Sequence, residues 1–269
     1  MQSYLSSSSA LTASLNWLDT TANNIANQST TGYAAQAGSF ADTLTQALNQ
    51  NATAPGIANR VTAPGWWGGT GVMATATLQD FAGMPVIPTG VPTDLAISGT
   101  GFFEVRQPDG SIALTKDGHF SFSPVQNGNV MLVNQNGNPV LDTAGKPIVT
   151  SGQNAASMKV LPDGQIRYGT TLGPKIAIAT VPVPDVTLNL AGNNLYTPAP
   201  GTTPAVVNGG IGTYNSVAGQ VVQGSLVGSN VNLSAEMADM IQAQEMYDVN
   251  SQAIADTDKM AQSAVGFKP

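Results

Sequence analysis

Cysteine is absent from the 269 residues, and histidine occurs once, as His119. The absence of cysteine excludes a disulfide framework, a thiolate metal site and a cysteine nucleophile. A single histidine cannot build a histidine-rich metal cluster. We therefore expect neither a cofactor nor a metal ion.

Charge is also scarce, because charged residues make up 9% of the chain against about a quarter in typical proteins. The net charge is −7 and no basic patch occurs, so nucleic acid is not an expected partner. Hydrophobic residues make up 42%, which is enough for a core. A surface with so little charge repels copies weakly and suits packing against copies of itself, although an ordinary secreted β-rich protein fits the same composition.

Long apolar runs are missing too. No stretch of 18 apolar residues occurs, so the chain is not expected to be embedded in a membrane. The first basic residue is Arg60, which leaves the N-terminus without the basic region of a cleaved secretory signal. If the protein leaves the cell, we expect a route that does not read such a signal.

Proline is absent from residues 1–54 and 205–268, while 16 of the 17 prolines lie between Pro55 and Pro204. Because proline breaks helix interiors, both ends can be helical and the middle cannot. The expected class is α+β, with terminal helices paired in a coiled-coil-like core and a β-rich middle domain. The expected division is an N-terminal helix over 1–33, a weak helix and extended arm over 34–75, a β-rich domain over 76–228 and a C-terminal helix over 229–269.

Both ends carry apolar residues at coiled-coil spacing. The N-terminal row has steps of 4, 3, 4 and 3 and consists of Leu11, Leu15, Leu18, Ala22 and Ile25. The C-terminal row has steps of seven, with Met237 on its flank, and consists of Leu233, Met240, Tyr247, Ile254 and Ala261. We expect these rows to pack on each other and to form the assembly interface. An ordinary helical hairpin within one chain is the alternative.

Asparagines follow the N-terminal row. Asn24 and Asn27, together with Asn23, are expected to hydrogen-bond across the interface or near the turn out of the helix, and simple capping of the helix end is the alternative. Gly32 is a candidate stop for this helix. Ion pairs that would stabilise either helix alone are nearly missing, so the helices are expected to need each other and neighbouring subunits.

The segment after the first helix is harder to interpret. Phe40, Leu44 and Leu48 stand at four-residue spacing, which predicts a weak third helix over 34–54. Residues 55–75 are rich in Gly, Pro, Thr and Asn and predict a loop or extended arm. The adjacent Trp66 and Trp67 are either a subunit contact or a local plug.

The middle of the chain has short apolar runs separated by turn dipeptides. Runs such as 102–105 (FFEV) and 176–179 (IAIA) predict strands. The dipeptides Asp-Gly or Asn-Gly supply the positive-φ positions of hairpin turns, and they occur at 109–110, 117–118, 127–128, 136–137 and 163–164.

Catalytic motifs are missing. No P-loop, dinucleotide fingerprint or nucleophile elbow occurs. His119 could join a serine triad, and scattered carboxylates could form a glycosidase pair, but nothing marks a nucleophile or a paired spacing. The chain is not expected to be an enzyme, and a hydrolase that uses His119 is a remote alternative.

Three blocks resemble the axial proteins of the bacterial flagellum. Residues 22–33 (ANNIANQSTTGY) are similar to the N-terminal signature of rod and hook proteins. Residues 94–105 (DLAISGTGFFEV) are similar to a segment in the middle of these proteins, and 224–237 (GSLVGSNVNLSAEM) to a block before their C-terminal helix. The chain departs from the usual family residues at Leu114, Lys116, Val227 and Glu245.

The resemblance implies a rod subunit of the flagellar basal body. Such proteins have paired terminal helices in an inner tube and a β-rich domain outside it, and they pass unprocessed through the flagellar export apparatus to the outside of the cytoplasmic membrane. The implied partners are copies of the chain and neighbouring rod and hook proteins. The length and the 50–75 stretch favour the distal rod, where this stretch is expected to set rigidity. A proximal rod or hook subunit is the alternative within the family, and a secreted β-rich adhesin is the alternative outside it.

Overall fold

The chain was analysed as a computed structural model. The structure describes residues 2–38, 40–42, 72–74, 78–125, 128–155, 157–181, 183–198, 205–207 and 219–266. The expectations for Leu44, Leu48, Trp66 and Trp67, and for nearly all of the extended arm, lie outside these residues.

Helices form at the two ends of the chain and strands between them. The helices are α1 (Gln2–Ala26), α2 (Gly152–Ala155), α3 (Pro184–Thr187) and α4 (Leu233–Gly266). The strands before residue 125 are β1 (Ala35–Ala37), β2 (Phe40–Asp42), β3 (Val72–Ala74), β4 (Leu78–Asp80), β5 (Val86–Pro88), β6 (Leu95–Ser98), β7 (Phe102–Arg106), β8 (Ile112–Thr115) and β9 (Phe120–Pro124). The later strands are β10 (Asn129–Asn134), β11 (Val149–Ser151), β12 (Met158–Val160), β13 (Gln165–Tyr168), β14 (Thr171–Lys175), β15 (Ile178–Thr180), β16 (Leu188–Gly192), β17 (Leu195–Pro198), β18 (Ala205–Val207), β19 (Gln220–Gln223) and β20 (Ser225–Val227).

The chain divides into two compact units. The helical unit contains residues 1–26, 36–78 and 232–269, and the β unit contains 27–35 and 79–231. The α+β class is confirmed, since a β-rich middle separates terminal helices that pack together. The finer four-part division of the sequence remains a prediction.

In the helical unit, α1 packs against α4. Asn232 caps α4, because its side-chain oxygen accepts the backbone N–H groups of Ser234 at 3.1 Å and Ala235 at 3.4 Å. At the other end, α1 ends at Ala26. The expectation that Gly32 stops this helix is therefore wrong.

The weak helix expected over 34–54 is wrong where the structure describes that segment. Strand β1 lies at 35–37, and β2 pairs antiparallel with β3 with Phe40 opposite Ala74. Four-residue apolar spacing over a short window does not distinguish a helix turn from an extended segment. The partner strand here supplies the backbone hydrogen bonds that a helix would otherwise provide.

The β unit contains a six-stranded antiparallel sheet. Its strand order is β16-β17-β8-β7-β15-β18. Smaller antiparallel sheets have the orders β11-β10-β9, β12-β13-β14, β19-β6 and β20-β5. Side chains alternate across a strand, so neighbouring residues of β7 enter different clusters. Phe103 packs edge-on against Phe120 at 5.1 Å in one cluster, while Phe102 packs against Phe81 at 5.1 Å in the other.

The turn dipeptides behave as predicted with one exception. The glycines at 110, 128, 137 and 164 have φ between 72° and 87°, the region that glycine enters most easily. Gly118 has no positive φ. It is instead a close-approach position, because a Cβ built there would overlap the carbonyl oxygen of Leu95. Leu95 donates its N–H to the Gly118 oxygen at 3.0 Å, which holds the two backbones together.

Candidate assembly interface

The face of α1 that is buried in the helical unit consists of small and polar side chains and one tryptophan. Ser14, Thr21 and Asn24 are buried and Trp17 is half-buried. They are separated by steps of 3, 4 and 3, so they form one stripe along the helix. We call Ser14, Trp17, Thr21 and Asn24 the inner stripe of α1.

A matching stripe runs along α4. Its least exposed members alternate in steps of 4 and 3 and mix apolar with polar residues. They are Glu236, Met240, Ala243, Tyr247, Asn250, Ile254 and Thr257, which we call the inner stripe of α4. Ala243 is fully buried.

From Leu15 onward, each residue of the predicted leucine row of α1 lies one position after a residue of the inner stripe of α1. Leu11, Leu18 and Ile25 are half-buried, Ala22 is exposed, and Leu15 is 45% exposed. One residue is about 100° around a helix, so this row runs along the flank of the buried face. Within one chain, Leu15 and Ala22 therefore do not pack on the C-terminal row. The role of the leucine row between subunits remains a prediction.

The predicted row of α4 is closer to the observed stripe. Met240, Tyr247 and Ile254 belong to the inner stripe of α4, and Leu233 is half-buried at the start of the helix. Met237 is 51% exposed and lies one residue beyond Glu236, on the flank of the stripe, and its place in the assembly interface remains a prediction. Ala261 lies within α4, and its side chain is outside the described residues.

Asn24 connects three segments of the helical unit. Its Nδ2 donates to the Gln36 carbonyl and to the Glu236 carboxylate, both at 2.9 Å. Its Oδ1 accepts the Gln36 N–H, also at 2.9 Å. Burial raises the pKa of Glu236, while the hydrogen bond from Asn24 opposes that rise. The expectation of capping is not met at Asn24, since this side chain reaches a strand and the other helix.

Asn23 and Asn27 each form a hydrogen bond with a residue close to them in the chain. Asn23 donates to the Asp19 carbonyl at 3.0 Å within α1 and is exposed. Asn27 accepts the Thr30 hydroxyl at 3.1 Å in the turn after the helix.

Exposed apolar side chains lie on both flanks of the inner stripe of α4. Met237 and Ile241 lie on one flank, and Met246, Val249 and Met260 lie on the other. Each is at least 44% exposed. Apolar side chains exposed on both flanks of a helix indicate contacts with other molecules.

Three family models match the chain in order. A "Flagella basal body rod protein" model matches residues 5–33, a "Flagellar hook protein FlgE/F/G D1 domain" model matches 96–168, and a "Flagellar basal body rod FlgEFG protein C-terminal" model matches 222–266. The flagellar basal-body rod protein FlgG of Buchnera aphidicola subsp. Baizongia pistaciae is 33% identical over 90% of each chain. FlgG of Borreliella burgdorferi is 31% identical over 100% of this chain and 99% of its own. FlgF of Caulobacter vibrioides is 32% identical over 92% of this chain and 90% of its own.

This chain belongs to the flagellar basal-body rod and hook protein family. The family is structural, so the chain is a structural subunit of the flagellar basal body and not an enzyme. The adhesin and hydrolase alternatives are thereby set aside.

The geometry explains the last part of the rod-family signature, residues 27–33, which lies in the β unit. Thr31 donates its hydroxyl to Asp117 at 2.8 Å, and the Gly32 N–H donates to the Val227 carbonyl at 2.8 Å. Gly32 has φ +71°, and a Cβ there would collide with the backbone nitrogen of Asp117. The signature glycine is therefore needed for close backbone contact.

His119 lies in a carboxylate cluster that the sequence did not reveal. Its Nδ1 is 3.1 Å from Asp94 Oδ1, which is close enough for an ion pair but is not aligned as a hydrogen bond. Thr89 donates its hydroxyl to Asp94 at 2.6 Å. Burial raises the pKa of Asp117, which the hydrogen bond from Thr31 and the neighbouring His119 partly offset. The two threonine hydroxyls therefore donate to the two carboxylates. Asp94 is buried while His119 is exposed, so the arrangement is a partly buried polar network of the fold.

The described residues lack two further kinds of feature. No group of three or more metal-ligating side chains is assembled there. No helix there is long and apolar enough to cross a membrane.

Proposed function

We propose that this chain is a distal rod subunit that polymerises into a helical tube and transmits torque from the motor to the hook. The observation that carries the proposal is the distribution of buried and exposed side chains on the two terminal helices. The inner stripes combine small and polar side chains with a few large ones, while other leucine, methionine, isoleucine and valine side chains remain exposed along their flanks. A helix pair that stood alone would place its largest apolar side chains inside.

We further propose that the helix pair is coiled-coil-like. The inner stripes of α1 and α4 follow alternating steps of three and four residues, which is the spacing of knobs-into-holes packing. Small side chains such as Ser14 and Ala243 support a close approach of the two backbones. Asn24 then fixes the register of the pair, as a buried asparagine does in coiled coils.

The assembly interface is proposed to include the leucine row of α1 and the flanks of α4. Leu11, Leu15, Leu18, Ala22 and Ile25 would contact neighbouring copies, as would Met237. Burying the side chain of an exposed leucine between two copies stabilises their contact by roughly 1.5–3 kcal/mol. Every subunit carries the same row, so this contribution repeats along the polymer. We also propose that the chain passes through the flagellar export apparatus. Helices with so few internal ion pairs have little stability of their own and fold when they meet their neighbours.

The experiment compares Leu15→Asp with Asn16→Asp in purified full-length protein. Both changes add one negative charge at neighbouring exposed positions of α1. Leu15→Asp is expected to leave the circular dichroism of the monomer unchanged and to raise the critical concentration of polymerisation about tenfold or more, because a charge would be buried between copies. Asn16→Asp is expected to polymerise normally. Equal polymerisation of both variants and the unaltered chain would refute the interface.

A proximal rod or hook position is the second candidate. It is supported by the similarity to FlgF of Caulobacter vibrioides, which covers 92% of this chain, against 91% for FlgG of Agrobacterium fabrum. Immunogold labelling of purified basal bodies separates the positions. Label at the hook-proximal end of the rod is expected for a distal subunit, and label at the opposite end would favour the second candidate.

A further inference from the structure

A cavity in the β unit contains a buried lysine without a carboxylate partner. The cavity has a volume of about 410 Å³ and is mostly apolar, with Phe81, Phe102 and Val181 in its wall. The Lys116 side chain lines it and is only 5% exposed. A cavity of this size and lining is typical of a binding site.

The Lys116 ammonium is incompletely satisfied within the described residues. Its Nζ donates to the Gly99 carbonyl at 3.2 Å and lies 5.4 Å from the centroid of the Phe102 ring. An ammonium has three donors, and no described carboxylate lies within 4 Å of this nitrogen. Burial lowers the pKa of Lys116, which is the direction expected of an ammonium without an anion beside it.

The β unit also carries an exposed carboxylate that has no cation beside it among the described residues and could pair with the Lys116 ammonium. Its exposed acidic residues among those described are Asp80, Asp109 and Asp163. Asp80 directly precedes Phe81 and Ala82 of the cavity wall, and Asp163 lies 3.9 Å from Lys175. Asp109 has no cation within 4 Å in the described structure and stands at the tip of the β7–β8 hairpin.

Hydrogen bonds within the hairpin tip hold its carboxylate in place. The Asp109 carboxylate accepts the Ser111 N–H at 2.8 Å and the Ser111 hydroxyl at 2.6 Å, and these bonds lower the pKa of Asp109. Exposed Pro108 and the 46% exposed Ile112 flank the carboxylate. The tip therefore combines apolar surface with one negative charge. The cavity combines apolar surface with the Lys116 ammonium, which has no described carboxylate within 4 Å, and the half-buried Asp185 carboxylate elsewhere in its wall.

Tip and cavity lie at opposite ends of the same hairpin. Phe102 at the start of β7 and Lys116 after β8 line the cavity, whereas residues 107–111 form the far end. The four steps from Phe102 to Arg106 alone span roughly 13 Å. The tip cannot reach the cavity of its own chain, but it can reach that of another copy.

We propose that residues 108–112 of one copy dock in the cavity of the next copy, with the Asp109 carboxylate on the Lys116 ammonium. Because the two surfaces differ, the contact is heterologous and propagates from copy to copy. This inference rests on the proposed function, to which it adds a specific contact between β units.

Cross-linking tests the contact directly, because the chain contains no cysteine of its own. An Asp109→Cys protein carrying a size tag is mixed with a Thr100→Cys protein, whose substituted residue lines the cavity, under polymerising conditions. A disulfide-linked tagged–untagged dimer is expected. The matched control is Asp163→Cys in place of Asp109→Cys, since Pro162-Asp163-Gly164 repeats the sequence of Pro108-Asp109-Gly110. Equal cross-linking by the control would overturn the proposal.

Charge variants give a second readout. Asp109→Asn and Lys116→Met are each expected to raise the critical concentration about tenfold or more, because the remaining charge is buried unpaired at the contact. Asp163→Asn should leave it unchanged, and Lys116→Arg should restore most of the loss. Lys116→Met is checked for folding by urea unfolding, and Asp109→Asn decides the matter if Lys116→Met does not fold.

The two possible failures are distinguishable. If the unaltered chain polymerises and Asp109→Asn does so at the same concentration, the docking contact is wrong and the proposed function stands. If the unaltered chain remains monomeric at every concentration, the proposed function fails and the docking contact fails with it.

Discussion

At the scale of single residues, glycines in this fold serve two different purposes. Gly137 has φ +78° and nothing within 4 Å of the place where a Cβ would stand. Gly118 has ordinary backbone angles, but its Cβ would overlap the Leu95 carbonyl oxygen. The Asp-Gly and Asn-Gly pattern identified both positions, but the pattern could not tell a positive φ from a close approach of two strands.

This difference predicts unequal costs for the same substitution. Gly118→Ala is expected to lower the free energy of unfolding by roughly 3 kcal/mol or more, since two backbones must separate. Gly137→Ala is expected to cost only about 1–2 kcal/mol, the strain of a left-handed residue. Urea unfolding of both full-length variants measures the difference, and equal losses would mean that Gly118 is an ordinary turn glycine.

Glu104 is a second residue whose environment the sequence did not indicate. It lies in β7, is 5% exposed, and has its pKa raised by burial. The folded state therefore keeps the Glu104 proton at pH values where the unfolded chain has released it. This residue's contribution to stability is present at low pH and is lost as pH rises through the raised pKa.

Glu104→Gln should remove that pH dependence. The variant is expected to match the unaltered chain near pH 4 and to be more stable than it at pH 7, because it has no charge to bury. Urea unfolding across this range measures the gap, with the exposed Glu245→Gln as control. A gap that stays constant with pH, or that appears equally in the control, would contradict the role of Glu104.

At the scale of elements, the sequence identified both terminal helices but misplaced the contact face of α1. Proline absence and steps of three and four residues were sufficient for the existence of the helices. The face of α1 that is buried within one chain lies one residue from the predicted row, because the prediction followed the largest apolar side chains. The observed inner stripe has Ser14, Thr21 and Asn24, and the signal for it was a second row at the same spacing made of small and hydrogen-bonding residues.

Asn24 is expected to hold the helix pair together. Asn24→Ala removes the hydrogen bonds to Gln36 and Glu236, including the one that the half-buried Gln36 N–H donates to Asn24, which costs about 1–3 kcal/mol. Hydrogen exchange of α1 and α4 amides in the full-length monomer should speed up by a corresponding factor.

The exposed Asn16 offers the control for this experiment, since Asn16→Ala changes the same side chain on the same helix away from the inner stripe. Its exchange should remain that of the unaltered chain. If both variants exchange alike, Asn24 is not the residue that fixes the pair.

At the scale of the whole molecule, the class and family could be predicted from the sequence. The alternation of proline-free ends with a proline-rich middle predicted the α+β order, and three ordered blocks carried the family. Sheet order, the Asp94–His119 pair and the Lys116 cavity could not be predicted, because each depends on contacts between residues far apart in the chain. Local spacing carries no information on such contacts.

In the proposed assembly, neighbouring copies cover the apolar surfaces that a single molecule leaves exposed. The inner stripes explain how one chain holds its own helices together. Three surfaces are then left to contact neighbouring copies, namely the flanks of α4, the leucine row of α1 and the hairpin tip. This view makes the polymer, and not the monomer, the functional state.

The most direct test of this claim is an in-frame deletion of the gene in its host, followed by electron microscopy of purified basal bodies. We expect cells without hook or filament and with basal bodies whose rod is absent or truncated. Restoration by the unaltered gene but not by Leu15→Asp would connect that loss to the proposed interface. Complete, rotating flagella in the deletion strain would contradict the account.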